Sequence, residues 1–195
     1  HTNIIKITDH GQYLLLGQTK DDAAGEAYDK IARAIGLPYP GGPQIERLAK
    51  EGDASAIELP RAWMGDDSYD FSFSGLKSAV LNYINKAKMK GEEINPADVA
   101  ASFQQAVLDV LVQKTVRAAV ENGVSNILLA GGVAANGTLR DQLQTAANAH
   151  NIQVHYPPVH FCTDNAAMIA ITGYYKYLDQ DFCSIDKPAY SRVTI

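Results

Sequence analysis

Residues 127–137 read Ile127-Leu128-Leu129-Ala130-Gly131-Gly132-Val133-Ala134-Ala135-Asn136-Gly137, and this passage decides the fold class. The apolar run Asn126–Ala130 has the composition of a buried strand. Two glycines follow at its carboxyl end, where the missing Cβ atoms let a ligand approach the backbone. A helix is then expected near Thr138–His150, with its first N–H groups turned toward an anion or a polar ring. In open α/β sheets this end of a strand is where ligands sit. The glycine spacing matches neither a Walker A loop nor a dinucleotide fingerprint. A ligand loop and a plain tight turn therefore both stand, and Asn136 is open between ligand contact and helix cap.

Working outward, the pattern alternates strands with helices. Residues 3–8 and 13–17 alternate around Asp9-His10-Gly11, which reads as a hairpin. Asp22 precedes a helical stripe of Ala24, Ala27, Ile31, Ala34 and Ile35, ended by Gly36. Pro40-Gly41-Gly42-Pro43 reads as a turn before a short helix that ends at Gly52. Residues 53–69 lack a period and read as loop. Phe71 and Phe73 suggest a short strand-like stretch broken at Gly75, then a helix from Lys77. Asn95-Pro96 starts another helix, carrying Val99, Phe103, Ala106, Val107, Val110 and Leu111 and running to Gly123. A strand at 152–156 ends at Pro157-Pro158, and a last helix covers about Asn165–Leu178. The class is α/β with a mixed sheet.

Apolar content of 46% and charged content of 20% suit a globular chain with a sizeable core. The net charge of −5, from 17 basic and 22 acidic residues, argues against nucleic-acid binding by this chain alone. Lys86, Lys88 and Lys90 run straight into Glu92 and Glu93, which fits a solvated helix end. No apolar run approaches bilayer-crossing length. Cys162 and Cys183 make no disulfide framework and fit a reducing, cytoplasmic setting. The chain opens at His1 without an initiator methionine, so sequence upstream of it is expected.

Three further constellations bear on chemistry. Asp22, Glu26 and Asp29 fall at i, i+4 and i+7, one helix face on which carboxylates meet ribose hydroxyls, a hard cation or only solvent. Pro40–Pro43 is a ligand-facing turn or a connector. Thr163-Asp164-Asn165 precedes the last helix, where Asp164 is suited to the N-cap. His155, His160, Cys162 and Asp164 invite a zinc reading, but their spacing fits no common zinc motif. No nucleophile elbow, HExxH pair or Ser/His/Asp order supports a hydrolase.

Taken together, several stretches resemble the TsaD family of tRNA threonylcarbamoyltransferases. They are His1-Thr2 (the tail of the family's SGGHT loop), Asp21–Lys30, Leu37–Pro43, Asp70–Lys77, Ala130–Asn136 and Phe161–Ala170, in family order across nearly the whole chain. The resemblance implies the C-terminal lobe of an actin-, heat-shock-ATPase- and sugar-kinase-like (ribonuclease H-like) fold, without the family's N-terminal lobe. It implies a second actin-like lobe over residues 1–160, and a segment over 161–195 that packs back on the first lobe. The implied reaction transfers a threonylcarbamoyl group from threonylcarbamoyl-adenylate to N6 of an adenosine beside the tRNA anticodon.

Site roles follow by position. Asp29 matches a contact to the ribose-like part of the nucleotide, Gly42 and Glu46 line the same pocket, Gly131 and Gly132 admit the nucleotide, and Asn136 contacts the base region. Asp164 matches a ligand of a catalytic divalent metal, iron or zinc, whose other ligands come from an HxxxH pair that this sequence does not contain. No general base is assigned. The implied partners are a paralogous subunit of the same fold, a small ATPase and tRNA, with no membrane. Turnover by this chain alone is not expected. Two alternatives are a non-catalytic nucleotide-binding or scaffold paralogue of the same fold, and the older label of O-sialoglycoprotein metalloendopeptidase. The enzymatic reading expects the diglycine bend and Asp164 to face a shared cleft, and it fails if the two turn away from one another with no cavity between or beside them.

Overall fold

Asp9-His10-Gly11 reverses the chain, so that β1 (Asn3–Asp9) pairs antiparallel with β2 (Gln12–Gln18). The computed structural model describes residues 1–65 and 67–188; the end of the segment expected over 161–195 lies outside the described residues. The second pair, β3 (Asn126–Leu128) and β4 (Gln153–His155), is parallel and is bridged by α5 (Gly137–Asn148), a βαβ crossover. Both strand directions occur, but in two two-stranded sheets rather than one mixed sheet. β3 and β4 are also shorter than the apolar runs suggest. Leu129 N–H still reaches the His155 carbonyl at 2.8 Å. Beyond it the backbone bends at Gly131, while Pro157 on the other side has no N–H to donate.

The remaining helices are α1 (Ala24–Ala34), α2 (Gly41–Ala49), α3 (Ser74–Lys90), α4 (Pro96–Glu121) and α6 (Ala166–Leu178). Two of them start earlier than the sequence pattern suggests. Pro40–Pro43 is largely the first turn of α2 rather than a separate turn, since Pro43 lacks an N–H that would be orphaned there anyway. α3 starts at Ser74, not Lys77, because Asp21 caps it from across the fold. The Asp21 carboxylate accepts Phe73 N–H at 2.8 Å, Ser74 N–H at 3.1 Å, and the Ser72 and Ser74 hydroxyls at 2.5 and 2.6 Å. Burial alone would raise the Asp21 pKa, but these four hydrogen bonds win and hold it at about 2.

α4 is the axis of the core. Asn95 caps it by accepting Ala97 N–H at 3.0 Å. Its buried residues lie on every face, wider than the expected stripe, because it is shared by two clusters. One cluster joins Phe103 and Val107 to Tyr28, Ile31, Ile45, Phe71, Phe73 and Val80. The other joins Leu108, Val112 and Val116 to Ile127, Leu139, Leu143 and Ile152. Truncating a fully buried ring such as Phe103 to alanine is worth about 3–5 kcal/mol. Phe71 and Phe73 meet only an isolated bridge, Thr19 to Phe71, and not a strand. Their segment is instead anchored to α4 by buried Lys114, whose ammonium donates to the Asp70 carbonyl and lies 5.6 Å from the Phe71 ring centre. Burial lowers the Lys114 pKa.

α6 differs from the others in having no buried residue, although it is rich in apolar side chains: Ile169 is 72% exposed and Tyr177 60%. Its N-cap is Asn165, which accepts Met168 N–H at 3.0 Å; the expectation that Asp164 caps the helix is wrong by one residue. Asn165 also donates to the Phe161 and Thr163 carbonyls, which an aspartate could not do. Among the described residues, no helix is long and apolar enough to cross a membrane.

Candidate functional site

A cleft of about 780 Å³ opens where α1, α2 and α5 meet the carboxyl end of β3. Its lining brings together His1, Thr2, Asp29, Gly42, Glu46, Gly131, Gly132 and Asn136, residues spread over most of the chain. It continues to Val159 and Thr163. Asp164, the next residue, is solvent-exposed, is not part of the lining and has no hydrogen-bond partner among the described residues.

The diglycine bend is built for close approach. Gly131 takes φ 91° and ψ 172°, a region essentially reserved for glycine. Gly132 is free of that constraint, and a Cβ built there would meet nothing within 4 Å. Gly132–Ala135 forms a single 3₁₀ turn rather than leading straight into α5. The N–H groups of Gly131, Gly132 and Val133 have no acceptor among the described residues. They form the exposed donor set of the cleft.

Two of the first three N–H groups of α5, by contrast, are already taken. Gly137 N–H donates to Glu46 Oε1 at 2.8 Å and Leu139 N–H to Asn136 Oδ1 at 2.8 Å. The expectation that this helix offers unpaired donors therefore holds only for Thr138 N–H among the described residues, and the larger free set lies one turn earlier. Asn136 is thus a helix cap as well as a cleft residue, and its Nδ2 donates to Gln104 Oε1 at 2.9 Å. Asp29 Oδ1 accepts Gly41 N–H at 2.7 Å and so holds the start of α2, while its other oxygen has no partner among the described residues. Gly41 permits this, since a Cβ there would lie 2.7 Å from Asp29 Cα and 2.6 Å from Ala32 Cβ.

The carboxylate stripe does not act as one group. Asp22 lies before α1 and pairs with Lys30 at 2.8 Å and Lys77 at 2.6 Å, and these two partners, Lys30 first, lower its pKa. Glu26 pairs with Lys30 at 2.6 Å. Only Glu26 and Asp29 reach the cleft. Nor do the zinc candidates converge. His155 Nε2 is 2.9 Å from Asn126 Oδ1, buried Cys162 accepts from Arg140 at 3.3 Å, and His160 packs on Phe161. Among the described residues, no three His, Cys, Asp or Glu side chains gather as a metal site.

Sequence reasoning missed two cleft residues with clear roles. Thr2 Oγ1 accepts Ala24 N–H at 2.9 Å and caps α1. The available signal was Ala23 at the cap position, a residue that cannot cap with its own side chain. Tyr28 is among the lining residues, and its buried ring stands edge-on to Phe103 at 5.1 Å between centroids. Its hydroxyl is buried without a hydrogen-bond partner. Burial, then the nearby Glu46 charge, push the Tyr28 phenol pKa far up.

With this geometry in hand, likeness to known proteins is informative. The family model for TsaD, tRNA N6-adenosine threonylcarbamoyltransferase, matches residues 1–171. A tRNA N6-adenosine threonylcarbamoyltransferase of Moorella thermoacetica is 56% identical over 95% of this chain and 54% of its own length. One of Clostridium botulinum strain 657 is 56% identical over 95% of this chain and 55% of its own. One of Geobacillus kaustophilus is 59% identical over 89% and 51%. The chain thus spans about half the length of the curated relatives it matches. Among solved structures, a crystal structure of T. kodakarensis HypF superposes with a TM-score of 0.60 at 22% identity, over 82% of this chain and 20% of that one, which speaks to fold alone. The chain belongs to the TsaD family.

Proposed function

We propose that this chain is the nucleotide-binding lobe of an enzyme that transfers a threonylcarbamoyl group from threonylcarbamoyl-adenylate to N6 of an adenosine beside the tRNA anticodon. The observation that carries the reading is the convergence of Asp29, Gly42, Glu46, Gly131, Gly132 and Asn136 on one cleft. Its volume suits a nucleotide-sized ligand. The unpaired N–H groups of Gly131, Gly132 and Val133 form a concavity that favours an anion, here the phosphate of the adenylate. The free oxygen of Asp29 is an acceptor for a ribose hydroxyl. In the transfer, the acceptor N6 forms a bond to the carbamoyl carbon, the bond from that carbon to the phosphate oxygen breaks, and AMP leaves as N6 loses a proton. The lobe's contribution is to hold the leaving group in place while its charge develops.

The family's divalent metal, iron or zinc, fits this chain only in part. Asp164 is exposed and unbonded among the described residues, free to ligate, but a single carboxylate does not hold such an ion and no group of three His, Cys, Asp or Glu side chains forms among the described residues. No step is assigned to the metal here. The finer fold assignment belongs to the same proposal: an actin-like, ribonuclease H-like second lobe over residues 1–160, followed by a segment that packs on a first lobe. The uncovered apolar face of α6 supports it. The same holds for a cytoplasmic setting and for assembly with a paralogous subunit and a small ATPase. A net charge of −5 supports a tRNA-gripping surface supplied by a partner.

Calorimetry with AMP tests the reading. The chain should bind AMP, and Asp29→Ala should weaken binding. Absence of binding by the unaltered chain would favour a scaffold paralogue instead.

A further inference from the structure

We propose that Gln104, a residue of α4 outside the cleft lining, is the positioning residue that fixes how Asn136 meets a cleft ligand. The proposal rests on the nucleotide reading above but begins from a hydrogen-bond chain that any ligand would encounter. Leu139 N–H is a backbone donor and cannot change its role. It therefore dictates that the atom of Asn136 facing it, at 2.8 Å, is the carboxamide oxygen. The Asn136 nitrogen is thereby turned toward α4, where it needs an acceptor. Gln104 Oε1 supplies one at 2.9 Å, so the orientation of both carboxamides follows from a single backbone group.

Both side chains are buried, Gln104 at 6% and Asn136 at 6% exposure, where a polar group left unpaired is costly. Yet the neighbouring Phe103 and Val107 of α4 belong to the apolar core, and α5 already has its cap. A glutamine here contributes something that core packing does not require. Without it, the Asn136 amide is free to rotate away from the cap or to swing into the cleft. With it, one amide hydrogen and one oxygen lone pair of Asn136 remain, in fixed positions, for a ligand at the mouth of α5. Pre-setting a polar contact in this way avoids an ordering cost on binding.

The test uses the whole 195-residue chain, labelled with nitrogen-15, with Gln104→Met and Gln104→Glu. Methionine keeps length without an acceptor, whereas glutamate keeps the acceptor. In the unaltered chain without ligand, the Asn136 side-chain amide protons should exchange slowly. Gln104→Met should speed that exchange and weaken AMP binding about fivefold, the scale of one ordinary hydrogen bond. Gln104→Glu should restore both. Unchanged amide exchange and unchanged affinity in Gln104→Met would overturn the proposal. So would a loss of affinity that Gln104→Glu fails to restore, since that pattern reports loosened packing. Failure of the unaltered chain to bind AMP counts against the nucleotide reading instead, because amide exchange reads the Gln104 tie with no ligand present.

Discussion

Replacing the two glycines of the bend one at a time separates what the fold needs from what a ligand needs. Gly131 has φ 91° and ψ 172°. A side chain forced into that region costs about 1–3 kcal/mol, and the stiffer unfolded chain of the alanine variant returns about 0.4–1 kcal/mol. Gly131→Ala should therefore lose roughly 1–2 kcal/mol, lowering Tm by about 2–8 °C for a chain of this size. Gly132 lies outside the left-handed region, and its Cβ would find open space. Gly132→Ala should keep wild-type stability or gain up to about 1 kcal/mol. The same methyl, however, projects where a nucleotide would press against the backbone. Overpacking there costs about 1–3 kcal/mol, roughly a 5- to 150-fold loss of AMP affinity. Thermal unfolding and calorimetry on both variants give the four numbers needed. Equal stability loss in both variants would show that the bend is misassigned. Gly132→Ala binding AMP like the unaltered chain would place the nucleotide elsewhere.

Two other outcomes follow from groups near the cleft. Asp21 is held at about pH 2 against an ordinary carboxylate value of 3.8, so its bonds to the start of α3 stabilise the fold above roughly pH 4 and are lost as pH falls toward 2. Asp21→Asn should lower the urea midpoint at neutral pH yet show a shallower loss of stability between pH 4 and pH 2; parallel curves for the two proteins would refute the cap. The Tyr28 hydroxyl is buried and unbonded, so Tyr28→Phe should raise stability by about 1 kcal/mol. A loss of that size in chemical denaturation would mean the hydroxyl has a partner in solution.

Some of this was legible in residue order and some was not, for physical reasons. Gly11, Gly36, Asn95-Pro96 and the strand at Ile127 are local signals, and each produced the turn, stop, cap or strand expected of it. The starts of α2 and α3 were misread because their determinants are distant. Asp29 holds Gly41 from 12 residues away and Asp21 holds Phe73 from 52. A carboxylate that caps a helix elsewhere looks, in its own segment, like one member of a solvent-facing stripe. That is why Asp22, Glu26 and Asp29 read as one face, when Asp22 and Glu26 share Lys30 and Asp29 holds Gly41 instead. Gln104 was invisible for the same reason: within an apolar helix it reads as an ordinary polar position, and only the fold brings it to Asn136.

The polar groups of the cleft divide into those already used by the fold and those left over, and the division is informative. Glu46, Asn136 and one oxygen of Asp29 hold helix starts together. What remains includes three backbone donors at the bend and one carboxylate oxygen of Asp29, a set suited to a phosphate and a hydroxyl. Binding alone accounts for that set; none of it activates a nucleophile. Just past the cleft, Asp164 stands unbonded among the described residues, and α6 buries none of its apolar side chains, its Tyr175 alone stacking on His10. An unpaired carboxylate and an uncovered apolar face on the same segment have one economical explanation under the proposed function. Under that proposal both would meet a part of the relatives that this chain, at about half their length, does not span. Chemistry is then completed at that junction, with the leaving group held on this side.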